Sequence, residues 1–215
     1  MTTRRTFLSG LLAATLGAAD SKTMTSRRAK ADSPATADPT ASFWKNAPVL
    51  TFETGRFGEK YPAFRTEVRS MWTMANLYIL FTCPYNDLYM NPNPQTKRDT
   101  WGLWDLDVAE VFIGWDLKDI RRYKEFELSP QGEWIDLDVN KNSEPGVFDD
   151  KWNAGMESAA RIDRSRRVWF GEMKIPFPSI DPRPPQPGRE FRINLYRIQS
   201  KKRTFMAWQP TQNES

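Results

Sequence analysis

Ten short segments, each alternating in polarity or rich in β-branched and aromatic residues, recur along this chain: 49–52, 66–72, 77–83, 108–113, 123–128, 134–139, 158–162, 168–175, 191–198 and 204–208. Clusters of Pro, Gly and Asn separate them, among them YNDLYMNPNPQ, SPQG, NKNSEPG and DPRPPQPG. Short strands between rich turns predict an all-β chain, a sandwich or a barrel. Long helical periodicity is missing, and DLKDIRRY has room for one or two turns at most. No internal repeat interrupts the pattern.

The ends of the chain read differently. Arg4 and Arg5 precede Phe7-Leu8 and a short apolar run at 11–19, too short to span a bilayer. The order Thr-Arg-Arg-x-Phe-Leu predicts a twin-arginine export signal over 1–31, cleaved after Ala19 or after Ala31. Residues 32–43, DSPATADPTASF, read as a flexible linker. Residues 44–215 then form one domain, with no membrane association once the signal is removed and a periplasmic or secreted location.

Charge follows the same division. The whole chain has 31 basic and 27 acidic residues. Six of the basic residues and one acid lie in 1–31, which leaves 25 basic against 26 acidic from Asp32 onward. The basic excess belongs to the leader, so it is no argument for a nucleic-acid partner. Histidine is absent, which excludes Ser-His-Asp catalysis, the usual zinc sites and His/Met haem ligation, so no haem is expected. The single cysteine, Cys83, lies in the apolar run LYILFTC and reads as a buried core thiol.

Alternation sorts the strands into two faces. Ala109, Val111 and Ile113 oppose Val108, Glu110 and Phe112; Phe126 and Leu128 oppose Glu125 and Glu127; Ile135, Leu137 and Val139 oppose Trp134, Asp136 and Asp138; Phe191, Ile193 and Leu195 oppose Arg192, Asn194 and Tyr196. The apolar member of each pair is expected to build the core. The other face is rich in Glu, Asp, Arg and Asn, with Trp and Tyr among them. Planar aromatics beside carboxylate, guanidinium and amide groups are what a sugar needs for ring stacking and hydroxyl hydrogen bonds. Glu110 is the sharpest case, because an unpaired carboxylate inside an apolar strand is costly. Either it pairs with Arg192 or Arg197 across the sheet, or it faces a ligand.

The succession TEVRSMWTMANLYILFTC, WDLDVAEVFI, YKEFELSPQGEWIDLD, VWFGEMKIPF, FRINLYRI and MAWQPT resembles the family 9 carbohydrate-binding modules, and more broadly the DOMON-type β-sandwiches, over about residues 44–215. The resemblance implies a jelly-roll-like antiparallel β-sandwich that binds sugar, often as an appendage of xylan- or cellulose-degrading enzymes. It makes Trp104 a stacking platform and Glu110 a hydroxyl acceptor; Arg192 and Asn194, on the polar face given by alternation, are the further candidate sugar-binding residues. The second stacking aromatic of the family lies in a loop beyond the segment matching MAWQPT, and the sequence ends at Ser215 before that loop and before the last strand. Trp208 matches the strand before it and is expected in the core. The family's cleft arginine has no counterpart; Glu125 and Glu127 stand where a base is expected.

Two other chemistries fit the residues. Glu110, Glu125, Glu127 and Glu172 could supply the acid and base of a glycoside hydrolase. Asp136 and Asp138, followed by Asn140 and Asn142, alternate oxygen ligands as a calcium loop does, without the Gly and closing Glu of an EF-hand. The reading that results is an exported, non-catalytic domain that binds plant-type polysaccharide or oligosaccharide ends. It requires no cofactor, and calcium is the ion it would take. The alternatives are a part of a glycoside hydrolase, or a structural sandwich whose polar face is internally paired.

Overall fold

The computed structural model describes residues 22–199 and 201–212. Twelve strands form two sheets. They are β1 (Arg27–Arg28), β2 (Val49–Phe52), β3 (Thr66–Trp72), β4 (Asn76–Pro84), β5 (Val108–Gly114), β6 (Arg122–Leu128), β7 (Trp134–Asn140), β8 (Val147–Asp149), β9 (Glu157–Asp163), β10 (Val168–Pro176), β11 (Arg192–Gln199) and β12 (Thr204–Ala207). The first sheet runs β1-β3-β4-β10-β9, with β2 also on β3; the second runs β12-β11-β5-β6-β7-β8. All pairings are antiparallel except β1 on β3. The chain is therefore an antiparallel sandwich, one of the two architectures its strand pattern allowed and the one the family resemblance implied. Backbone bridges from Thr54 and Gly55 to β12 stitch the sheets along one side.

Between the sheets lies the main core. The first sheet contributes Val68, Ile79, Phe81, Cys83, Trp169, Met173 and Ile175; the second contributes Ala109, Val111, Phe126, Leu128, Leu195, Met206 and Trp208. Cys83 and Trp208 are buried there, as expected of both, and burial pushes the Cys83 thiol up to about 12.

Two further apolar layers cover the outer faces, and each corrects a sequence expectation. On the first sheet, Trp44, Met71, Tyr78 and Leu80 form a separate cluster with Phe43 and Ala41. This explains why β4 is apolar at successive positions rather than alternating: both of its faces are covered. The cover is the stretch expected to be a flexible linker. Asp32 accepts hydrogen bonds from Thr73, Asn76 and Tyr78, and the backbone N–H groups of Thr36 and Ala37 donate to buried Glu172. Residues 32–43 are thus docked, because buried Glu172 accepts from the stretch's amides and Asp32, at its start, accepts from the sheet's donors. The docking extends N-terminally, where Ala29 donates to the Trp72 carbonyl at 2.7 Å. Residues 1–21, with Arg4, Arg5 and the Ala19 cleavage position, lie outside the described residues.

On the second sheet, Ile135, Leu137 and Val139 do not face the main core. They lie on the outer side, in a cluster with Leu103, Val108 and Ile198. The long connection between β4 and β5 crosses this face and buries them. Trp134 packs inward instead, with Asp136 on the same side.

Candidate functional site

The outer face of the second sheet carries the residues singled out in the sequence. In β5, the inward set Ala109, Val111 and Ile113 fixes the strand's orientation, so Val108, Glu110 and Phe112 point outward. Phe126 and Leu128 do the same for β6 and turn Tyr123, Glu125 and Glu127 outward. Register then sets Glu110 opposite Glu127 on one side and Tyr196 of β11 on the other, while Phe112 stands opposite Glu125. Phe112 packs edge-on to Tyr123 at 5.8 Å and to Tyr196 at 5.2 Å between ring centroids. The face is a floor of three carboxyl groups beside an aromatic row.

The three carboxyls form one group. One oxygen from each lies within 4.8 Å of those of the other two. Glu127 is 0% exposed and Glu110 4%; both Glu127 oxygens and Glu110 Oε1 have no hydrogen-bond partner. Burial pushes the Glu110 carboxyl well above the ordinary carboxylate range, and Glu125 adds to it. Burial does the same to Glu127, reinforced by Glu110 and Glu125, and lifts Glu125 to about 7. Like charges directly opposite in a sheet destabilise it.

Neither arginine proposed as a partner reaches Glu110. Arg197 points into the main core, fully buried, and donates to the Phe64 and Pro84 carbonyls, Thr66 Oγ1 and Gln199 Oε1. Arg192 donates to the carbonyls of Asp116 at 2.9 Å and Asp119 at 2.5 Å, closing the β5–β6 turn. It can lie there because its register neighbour is Gly114; a Cβ at that position would stand 2.8 Å from the guanidinium. Asn194 accepts from the backbone N–H of Leu195 and Gln209, and donates to the Gln209 carbonyl. Both residues are on the expected face, held by the chain's own backbone.

Above the floor sits a short 3-10 turn, Leu103–Asp105. Leu103 anchors it in the outer cluster and Trp104 packs against the same cluster, half-buried. Gly102, at φ +80, makes the left-handed entry that a side chain would resist. The turn presents Trp101, 60% exposed, with its ring 4.9 Å from that of Trp104 and nearly perpendicular to it. Trp101 escaped the sequence reading because no alternation marks a loop residue; the WGLW spacing around a glycine was the available signal. Arg203, from the β11–β12 turn, reaches Asp105 and the Trp104 carbonyl, each at 3.4 Å, and stacks on Phe205.

Asp136 and Asp138 do not form the expected calcium loop. Asp138 pairs with Lys124 at 2.7 Å, so an ammonium already stands where a cation would be needed. Buried Asp136 accepts from the Ala154 N–H on the inner side. A cleft of about 470 Å³ opens at one end of the sandwich and not over the three carboxyls. Its walls include Trp72, Leu77, Phe177 and Trp208 of the main core. No helix among the described residues is long and apolar enough to cross a membrane.

Known proteins share this architecture. A protein of Bacteroides uniformis proposed to bind carbohydrate superposes with a TM-score of 0.69 at 14% identity, over 90% of this chain and 91% of its own. A family 9 carbohydrate-binding module of Caldicellulosiruptor kristjanssonii, in complex with cellotriose, gives 0.53 at 13% identity, over 86% and 82%. A family 9 carbohydrate-binding module of the same organism, in complex with glucose, gives 0.52 at 14% identity, over 84% and 83%. In sequence, an extracellular protein of the fungus Arthroderma benhamiae is 25% identical over 157 residues, 68% of this chain and 69% of the relative. The profile of the carbohydrate family 9 binding domain-like family matches residues 36–215, and the chain belongs to that family.

Proposed function

We propose that this chain is an exported, non-catalytic carbohydrate-binding domain that takes the end of a plant-type oligosaccharide or polysaccharide on the outer face of its second sheet. The observation that carries the reading is the exposed Trp101, braced edge-on by Trp104, at the rim of a floor where Glu110 has no internal partner. An indole face offers a sugar ring its stacking surface, and the rim keeps that contact partly dry. Glu110 accepts from a hydroxyl; Arg192 and Asn194 hold β5 and β11 in place around it. Complexes of a family 9 module with cellotriose and glucose support a neutral sugar as the ligand, and the extracellular relative supports secretion.

The test is calorimetric titration of the full chain with xylo- and cello-oligosaccharides, alongside Trp101→Ala and Trp104→Ala. Saturable binding in the parent, weakened at least tenfold in one of the tryptophan variants, is expected. A folded parent that binds neither series overturns the reading for these ligands. Binding that survives both variants overturns the site.

A further inference from the structure

We propose that Glu110, Glu125 and Glu127 bind one calcium ion, which forms the floor of the ligand face. The inference deepens the sugar-binding reading, but the ion site stands on its own residues. Two observations carry it independently. The first is geometric: one oxygen from each of three carboxyls lies within 4.8 Å of the others. Calcium holds oxygen ligands at about 2.3–2.6 Å, so any two of its ligands stand at most about 4.6–5.2 Å apart, and one ion can reach all three carboxyls. Magnesium dehydrates reluctantly and usually keeps several waters, which suits a floor of three carboxyls less well.

The second is Glu127 itself. Its side chain is fully buried, and as a carboxylate it meets no donor; the one group within hydrogen-bond reach is the Glu125 carboxyl, itself an acid. The positions around it supply no donor. Across β6 stand Glu110 and Ile135. Leu137 lies beside Glu125, Tyr196 beside Glu110, and Leu103 is in the cluster that covers them. Arg203 favours the charged form of Glu110 and Lys141 that of Glu125, while Asp105 opposes that of Glu127. None of the three carboxylates forms an ion pair among the described residues. An isolated buried carboxylate is costly, and carboxyls this close need a positive centre between them. A cation supplies it to all three at once. Glu125 is the outermost ligand, only half-buried, so the ion's solvent side stays open and a pair of sugar hydroxyls completes its coordination.

The experiment uses the full chain stripped with chelator. Calcium is titrated by calorimetry, with magnesium as control, and terbium luminescence excited through the tryptophans reports proximity to Trp101 and Trp104. The expected result is one calcium per chain, with a dissociation constant no weaker than about 10⁻³ M, a melting temperature raised by calcium, and sensitised terbium emission that calcium displaces. Glu127→Gln and Glu125→Gln keep the side-chain shape and should each weaken calcium binding at least tenfold.

Absence of calcium binding by the folded parent overturns the proposal and leaves a shared proton as what holds the carboxyls together. Binding that both variants leave unchanged also overturns it, by putting the ion elsewhere. Oligosaccharide titrations of stripped and calcium-loaded protein separate the two readings. Calcium binding with no sugar bound in either state defeats the sugar reading alone. Sugar bound equally in both states, with no calcium uptake, defeats the ion alone.

Discussion

Arg197 shows how a single side chain can be committed to architecture. Its guanidinium lies between the sheets and satisfies carbonyls from the loops that flank β3 and β4, as well as Gln199. A buried acceptor left without a donor costs about 1–3 kcal/mol. Arg197→Ala orphans several, so we expect a loss of at least about 2 kcal/mol, read from the midpoint of urea unfolding. An unchanged midpoint would mean that water replaces the guanidinium. Asp136 gives a pH signature. Burial, and then Asp99, push its carboxyl from the ordinary 3.8 up to about 7. The folded state therefore holds a proton that the unfolded chain has released across that window, and stability falls as pH rises through it. Asp136→Asn keeps an acceptor for the Ala154 N–H and removes the charge. The variant's stability should fall less steeply between pH 4 and 7 than the parent's. Identical slopes would assign the pH dependence to other groups.

At the scale of elements, the stretch from Lys22 to Ala47 behaves as a strap over the first sheet. It contributes strand β1, a hydrogen bond between Ser26 and Ser70, and the side chains of Ala29, Phe43 and Trp44 to the outer cluster. Its composition hid this. Pro, Ala, Ser and Thr are the residues of linkers, and what docks them lies elsewhere in the chain, in Glu172 and Tyr78. The same reason defeated the face assignment of β7. Alternation in WIDLDV showed correctly that Ile135, Leu137 and Val139 share a side, but not which side faces the other sheet, because a covering loop makes both sides apolar in turn. The strap predicts a truncation effect. Deleting 22–31 removes β1 and the Ala29 bond, and should lower the melting temperature by about 4 °C or more. If the chain is exported with cleavage of a leader, as proposed, the strap favours Ala19 over Ala31 as the position. N-terminal sequencing of the processed product should then find Asp20 first; Asp32 first would mean that the sandwich does not need β1.

Across the whole molecule, the existence of the ten longer strands and the outward direction of Glu110, Glu125 and Glu127 were legible, because the inward partners Val111, Phe126 and Leu128 are unambiguous. The convergence of the three carboxyls was not, because register between β5 and β6 depends on pairing that a single strand does not encode. Trp101 was missed for the related reason that its exposure depends on how a loop lies over a sheet. What was visible at Glu110 was the energetic oddity, and the structure sharpens it into a pair of acids facing each other across two hydrogen-bonded strands. That pairing has an evolutionary reading. Groups that weaken the empty fold recur where activity requires them, as a trade of stability for function. Neutralising Glu110 and Glu127 together, as Gln or as Leu, should raise the melting temperature of the ligand-free protein while abolishing recognition. The carboxyl floor would then be a trade-off written into one ladder of the sheet: the scaffold tolerates its own weakest point so that something else can bind there.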